Sequence, residues 1–167
     1  MKETAQQYVQ RVLGYLEGKS VLDVLATSPS HIERLIVGVA ADRLAKRPLP
    51  DKWSVVQILA HLADVELVQG FRVRMILGAP GTPIQGFDQD AWAQTCDYES
   101  QESSLSLEAY RVTRERTLRL FKSLSPDMWN RYGLHSERGN ETVKRVSEMM
   151  AGHDINHIRQ IEAILKT

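Results

Sequence analysis

Apolar and polar positions alternate along most of this chain with a helical period. Between Glu3 and Glu17, the residues Tyr8, Val9, Val12, Leu13 and Leu16 recur at helical spacing, and Gly18 follows as a stop. A short element covers Ser20 to Ala26. Ser28-Pro29-Ser30 then reads as the cap of a second helix, Ile32 to Ala45, which the Pro48-Leu49-Pro50 turn closes. The third helix is the clearest. Ser54-Val55-Val56-Gln57 has capping-box form, and apolar residues recur at Val55, Ile58, Leu59, Leu62, Val65 and onward to Leu77. Gly78 to Gly86, rich in Gly and Pro, ends it and leads into a loop with one short helix around Asp88 to Thr95. A fourth helix is predicted from Ser104 to Leu124. After a loop containing Pro126, Gly133 and Gly139, a last helix runs from Glu141 to Leu165. No segment shows a strand period, and there is no internal repeat.

These elements predict an all-α fold, an antiparallel four-helix bundle with short accessory helices, each long helix burying one apolar stripe. The 167 residues suit a single domain. Twenty-one basic side chains against 21 acidic ones argue against nucleic-acid binding, which draws on a surplus of Lys and Arg. The longest strongly apolar run, Leu35 to Ala41, ends at Asp42, far short of the roughly 20 residues a membrane span needs. Cys96 is the sole cysteine and has no partner for a disulfide; it reads as a small packed side chain. With MKETAQQYVQ at the start in place of a basic-then-apolar leader, the expectation is a cytoplasmic protein that binds neither nucleic acid nor membrane.

Chemistry enters where polar residues interrupt the stripes. On the last helix the stripe reads Val143, Val146, Met150, His153, His157, then Gln160 or Ile161, and Ile164. Residues four apart lie one turn above each other, so both imidazoles can reach a single ion. His61 faces inward on the third helix. Histidines on an apolar stripe also serve as ordinary core residues. Three imidazoles packed together without a metal, however, leave buried ring nitrogens unsatisfied at about 1–3 kcal/mol each. His153-Asp154-Ile155-Asn156-His157 is a near miss to the metalloprotease pattern H-E-x-x-H, but only ten residues follow His157 and the metzincin third position is Ala163. The chain also lacks the Glu-x-x-His motifs of a di-iron bundle. A mononuclear three-His site with an open position remains, the composition of a catalytic centre.

The segment Asp51-Lys52-Trp53-Ser54-Val55 leading into Ile58-Leu59-Ala60-His61-Leu62-Ala63-Asp64, with Gly152-His153-Asp154-Ile155-Asn156-His157-Ile158-Arg159-Gln160-Ile161, closely resembles the DinB-like (YfiT) superfamily of metal-binding four-helix bundles. Phe87-Asp88-Gln89-Asp90-Ala91-Trp92-Ala93 and His135-Ser136-Glu137-Arg138-Gly139-Asn140-Glu141-Thr142-Val143 extend the likeness across most of the chain. By resemblance the metal ligands are His61, His153 and His157. The resemblance implies one divalent metal ion (Zn, Ni, Fe or Mn) and a homodimer. It also implies either a low-molecular-weight-thiol S-transferase acting on small electrophiles or a metal-dependent hydrolase; the family examples favour the thiol reaction. A metal-binding helical module without turnover is the third possibility.

Around these ligands, Asp64 lies one turn after His61 and is a candidate general base or partner to an imidazole; its alternative is an exposed helix carboxylate. Gln57 and Gln160 flank the ligands at helical spacing. Arg72, eleven residues beyond His61 and roughly 16 Å along the same face, is a candidate for binding an anionic cosubstrate, or else a bundle-end salt bridge. Arg111, Arg114, Arg116, Arg119 and Lys122 read as a solvated basic stretch suited to the C-terminal half of their helix. Trp53 is expected to close the start of the third helix, and Trp92 to pack over the site as part of a lid. His31 and His135 lie off the stripes. His135 reaches the site only if its loop folds inward.

Overall fold

The long helices form where the apolar stripes run, and most begin at a hydroxyl cap. In the computed structural model, which describes residues 3–166, α1 spans Ala5–Gly14, α2 Val21–Ile36, α3 Ala41–Ala45 and α4 Val55–Gly78. They are followed by β1 (Pro83–Ile84), α5 (Gln89–Thr95), a 3-10 turn (Tyr98–Ser100) and α6 (Ser103–Ser123). Next come α7 (Pro126–Trp129), β2 (Tyr132–His135), β3 (Gly139–Thr142) and α8 (Val143–Lys166). Thr4, Ser20, Ser54 and Thr142 each accept from the backbone N–H three residues on, satisfying a donor that has no partner within its helix. At Ser54 the box is complete: Gln57 Oε1 accepts from the Ser54 N–H at 3.0 Å. Gln57 is thereby spent on capping.

Helices α2, α6, α4 and α8 form a ring in which each packs on the next, and α1 lies against α8. This is the expected four-helix bundle. No helix among the described residues is long and apolar enough to cross a membrane.

Two expectations fail. Ser28-Pro29-Ser30 does not start a helix; α2 runs unbroken through Pro29, and Ala41–Ala45 is a separate short helix. A proline inside a helix removes the N–H that would bond the carbonyl four residues earlier, here that of Leu25. That carbonyl accepts instead from Arg114 Nη1 on α6, at 3.1 Å. Strands are also present: β2 pairs antiparallel with β3, and β1 joins β2 in parallel, with Ile84 opposite His135. Segments of two to four residues are too short to display a period of two.

The core divides along the bundle. One apolar cluster holds Leu25, Val73, Ile76, Phe121, Val146 and Met150; the other holds Ile32, Ile58, Leu62, Tyr110, Ile158 and Ile161. Between them lies a polar layer. Its inner part is Arg114, only 2% exposed, whose guanidinium binds Asp154 at 2.5 and 3.1 Å and Glu66 at 2.9 Å. With the Leu25 carbonyl included, this one side chain ties all four bundle helices. Arg114 is therefore a core residue and not part of a solvated stretch, although Arg111, Arg116, Arg119 and Lys122 are exposed as expected.

Candidate metal centre

The same layer carries the histidines. On α8, Asp154 turns inward to Arg114 while His153 and His157, one residue before and three after, project on the side facing α4. His61 Nε2 lies 3.0 Å from His153 Nε2, and His157 Nε2 lies 3.0 Å from the same atom. The three form a group whose ligand atoms all lie within 4.8 Å of one another. His61 is 1% exposed, His157 is buried and His153 is half-buried.

This donor set fits a divalent ion. Burial pushes all three imidazoles below their ordinary pKa, His157 to about 4, so each is neutral and ready to ligate at pH 7. Three Nε2 atoms meeting at one point can share hydrogens only in pairs, whereas a cation accepts every lone pair. The two 3.0 Å spacings to His153 Nε2 are a few tenths below the roughly 3.3 Å edge of a tetrahedron with 2.0–2.1 Å bonds.

The surroundings of His61 are built from the segment preceding α4. The Trp53 ring packs against the His61 ring at a tilt of 60°, with ring centres 4.8 Å apart, and meets Tyr98 edge-on at 6.3 Å. The Tyr98 hydroxyl donates to Asp64 Oδ2 at 2.7 Å. Asp64 is half-buried and held by this hydrogen bond, and it touches no imidazole directly among the described residues. Its side chain braces Tyr98 and, through Trp53, the His61 imidazole. It lies outside the linings of both cavities that reach the histidines.

Those cavities lie on either side of the cluster. One, of about 750 Å³, reaches His157 and is lined by Trp53, Ile58, Arg11, Asn156 and Gln160. The other, of about 340 Å³, reaches His61 and His153 and is lined by Val65, Met150, Arg72, His135, Glu137 and Arg138 among others. Tyr8 and Gln89 border both. Burial raises the Tyr8 phenol to about 12, so it remains a donor. Arg72 lines the same cavity as His61 and His153 and makes no salt bridge among the described residues. His135, set aside as off-stripe, is brought in by the β2–β3 hairpin, in which Gly133 and His135 face inward and Tyr132 and Leu134 face out. The sequence carries no signal for it, because the outward positions Tyr132 and Leu134 are the apolar ones. Trp92 stacks on Phe87 at 4.5 Å and borders a different cavity, and Cys96 is exposed, contrary to the packed role expected of it.

A four-helix bundle with a buried three-histidine cluster at the meeting of two cavities defines a metal-binding class. The chain belongs to the DinB superfamily, whose sequence model matches residues 25–161. It is 25% identical over 142 residues to YfiT of Bacillus subtilis, covering 84% of this chain and 79% of that one. A relative from Oceanobacillus iheyensis is 23% identical over 138 residues, 83% of this chain and 80% of the relative. Both names class these proteins provisionally as metal-dependent hydrolases. The fold matches the solved structure described as "YfiT from Bacillus subtilis is a probable metal-dependent hydrolase with an unusual four-helix bundle topology". The TM-score is 0.81 at 20% identity, over 99% of this chain and 89% of that one.

Proposed function

We propose that this protein is a metal-dependent enzyme in which His61, His153 and His157 hold one divalent ion, and that it hydrolyses a small ester or amide. The observation that carries the reading is the convergence of three neutral imidazole Nε2 atoms, two of them on buried residues, on a point open to two cavities. Neutral imidazoles suit Zn, Ni or Fe and also admit Mn. When bound, such an ion supplies a Lewis acid and brings a nucleophile at its open position toward a pKa near 7. The chain's residues do the rest. Trp53 and Tyr98 fix the His61 ring, Val65, Val146 and Met150 supply a dry wall, and Tyr8 offers a hydroxyl donor at the rim of both cavities. The relatives named as hydrolases favour this reaction.

A second reading, transfer of a low-molecular-weight thiol to a small electrophile, is favoured by the two-sided site. A hydrolase needs one organic substrate, and two cavities meeting at Tyr8 and Gln89 have room for two. The homodimer belongs to the same proposal. Leu67 and Phe71, 63% and 62% exposed and one turn apart on α4, give it an apolar strip.

Elemental analysis of the purified protein is expected to find about one divalent ion per chain, lost on replacing His61, His153 or His157 with Ala. Stoichiometric metal in all three variants would overturn the centre. A panel of nitrophenyl esters and anilides, run beside several biological thiols with a chloro-dinitroarene, separates the reactions. Ester or amide cleavage supports the first reading, and thiol-dependent loss of the arene with no cleavage replaces it with the second. Sedimentation analysis reads the assembly: a monomer at tens of micromolar removes the dimer.

A further inference from the structure

The 340 Å³ cavity holds two polar groups that the metal centre does not use. Arg72 is 6% exposed, yet no carboxylate is within salt-bridge reach of it among the described residues. Its Nη2 donates to the Gln85 carbonyl and its guanidinium lies 5.6 Å from the Phe87 ring centre, which leaves Nε and Nη1 without acceptors. Glu137 and Glu141 act on the guanidinium only from a distance, and burial outweighs them, so an anion in direct contact would be favoured. His135 is 4% exposed, and its Nε2 is buried without a hydrogen-bond partner. Its Nδ1 accepts the Glu137 backbone N–H at 3.2 Å. A backbone N–H only donates, so in the neutral ring the hydrogen sits on Nε2, an unused buried donor on a residue that lines the cavity.

We propose that Arg72 and His135 bind the carboxylate of a substrate whose reacting group lies at the His61–His153–His157 centre. The site therefore takes small monocarboxylates in preference to neutral molecules of the same shape. The inference rests on the metal-centre reading and adds the substrate's chemical class. Arg72 presents a planar fork that matches a carboxylate, and His135 adds a neutral donor. Charge selects a monoanion. Arg72 and Arg138 on the wall are balanced by Glu137 and Glu141, and Glu141 is already held by Arg138 at 2.7 and 2.9 Å. The lining is thus neutral before the ion's double charge is added. An anion is favoured overall, while two wall carboxylates oppose a dianion such as phosphate. The cavity's size suits a compact acid, near the lower end of small-molecule sites.

The test uses metal-loaded protein, with its ion content measured first, and a series of straight-chain monohydroxamates that carry either a terminal carboxylate or a terminal amide. The hydroxamate anchors at the metal and the chain length is varied from two to six methylenes. Calorimetry is expected to show the acid of the best length binding about tenfold or more tightly than its amide, the scale of one charge-assisted hydrogen-bonded contact. In Arg72→Met and His135→Ala that preference falls to within about twofold while metal content is unchanged. In Arg72→Lys, which keeps charge and loses the fork, it survives in part. If no acid outbinds its amide at any length in the loaded wild-type protein, the proposal is overturned and Arg72 merely staples the Gln85 segment. If no ion is retained, the metal-centre reading falls by itself. Hexanoate against hexanamide on the unloaded protein then decides the carboxylate grip: preference for the acid supports it, and equal binding removes it.

Discussion

Replacing Arg114 with Met tests the mid-bundle layer most severely. The methionine keeps the length of the aliphatic stem, so little volume is lost, but the charge and every hydrogen bond of the guanidinium go. Burial opposes charge on Arg114, yet Asp154 and Glu66 together hold its pKa well above the ordinary range, and it is a cation at every accessible pH. Removing it strands Glu66 and Asp154, each 1% exposed, and leaves the Leu25 carbonyl with neither a helix partner nor a side-chain donor. Breaking a buried ion pair from one side costs about 3–5 kcal/mol. Against a typical total of about 5–15 kcal/mol that is a large share, and in a chain of this size it lowers Tm by roughly 6–20 °C.

Urea denaturation of wild type and Arg114→Met, followed by helical circular dichroism, reads the loss directly. The control is the triple replacement Arg114→Met, Glu66→Leu, Asp154→Leu, which removes all three charges together. It is expected to recover most of the loss, since an apolar substitute for a complete buried ion cluster is often neutral or stabilising. A cost below about 1 kcal/mol for the single variant would refute the reasoning, because it would mean the carboxylates are solvated or protonated at little expense.

Other outcomes follow from the same geometry. In the metal-stripped protein His157 takes up its proton near pH 4, while in the unfolded chain it does so near 6.5. Between those values only the unfolded state is protonated there, so stability falls on acidification; His157 accounts for about 3 kcal/mol of the fall, and His61 and His153, lowered by the same burial, add to it. Urea melts of the stripped protein at several pH values check this, and a His157→Gln chain with the same slope would disprove it. Gly152→Ala places a Cβ 2.3 Å from the Val12 carbonyl oxygen, too close for α1 to stay where it is. Overpacking of roughly 1–3 kcal/mol outweighs the roughly 1 kcal/mol gain in helix propensity, so Tm falls, and a rise would contradict the close approach. Gly133→Ala meets Ile84 Cδ1 at 2.6 Å, so it should part β1 from β2 and weaken carboxylate binding at Arg72 and His135, read by the same calorimetry.

The sequence made the long helices legible because stripes of Val, Ile and Leu report burial locally. It made the histidine cluster legible because His153 and His157 interrupt such a stripe one turn apart and His61 lies in another. Arg114 and Pro29 were misread for a shared reason. A proline normally ends a helix and an arginine among arginines normally faces water, and each was judged against its neighbours in sequence. What overrides both is 40 to 89 residues away: Asp154 and Glu66 draw Arg114 inward, and Arg114 then takes the carbonyl that Pro29 leaves free. For His135 the sequence gives only a condition, that its loop fold inward, because a four-residue strand is too brief to reveal which of its faces is buried.

That buried cluster also explains how a site of three histidines keeps its geometry on helices that could otherwise turn about their axes. A helix sliding on an apolar face loses little, because hydrophobic contact is not directional. Arg114 is directional. Its fork fixes Asp154, and with it the rotation of α8 that aims His153 and His157 across the bundle; its Nε fixes Glu66, and with it the rotation of α4 that presents His61, Val65 and Arg72 to one cavity. Apolar clusters lie above and below this layer and exclude the water that would weaken those bonds. The inner carboxylates and the outer imidazoles are thus two faces of the same pair of helices, one closed by an arginine and the other open to a ligand.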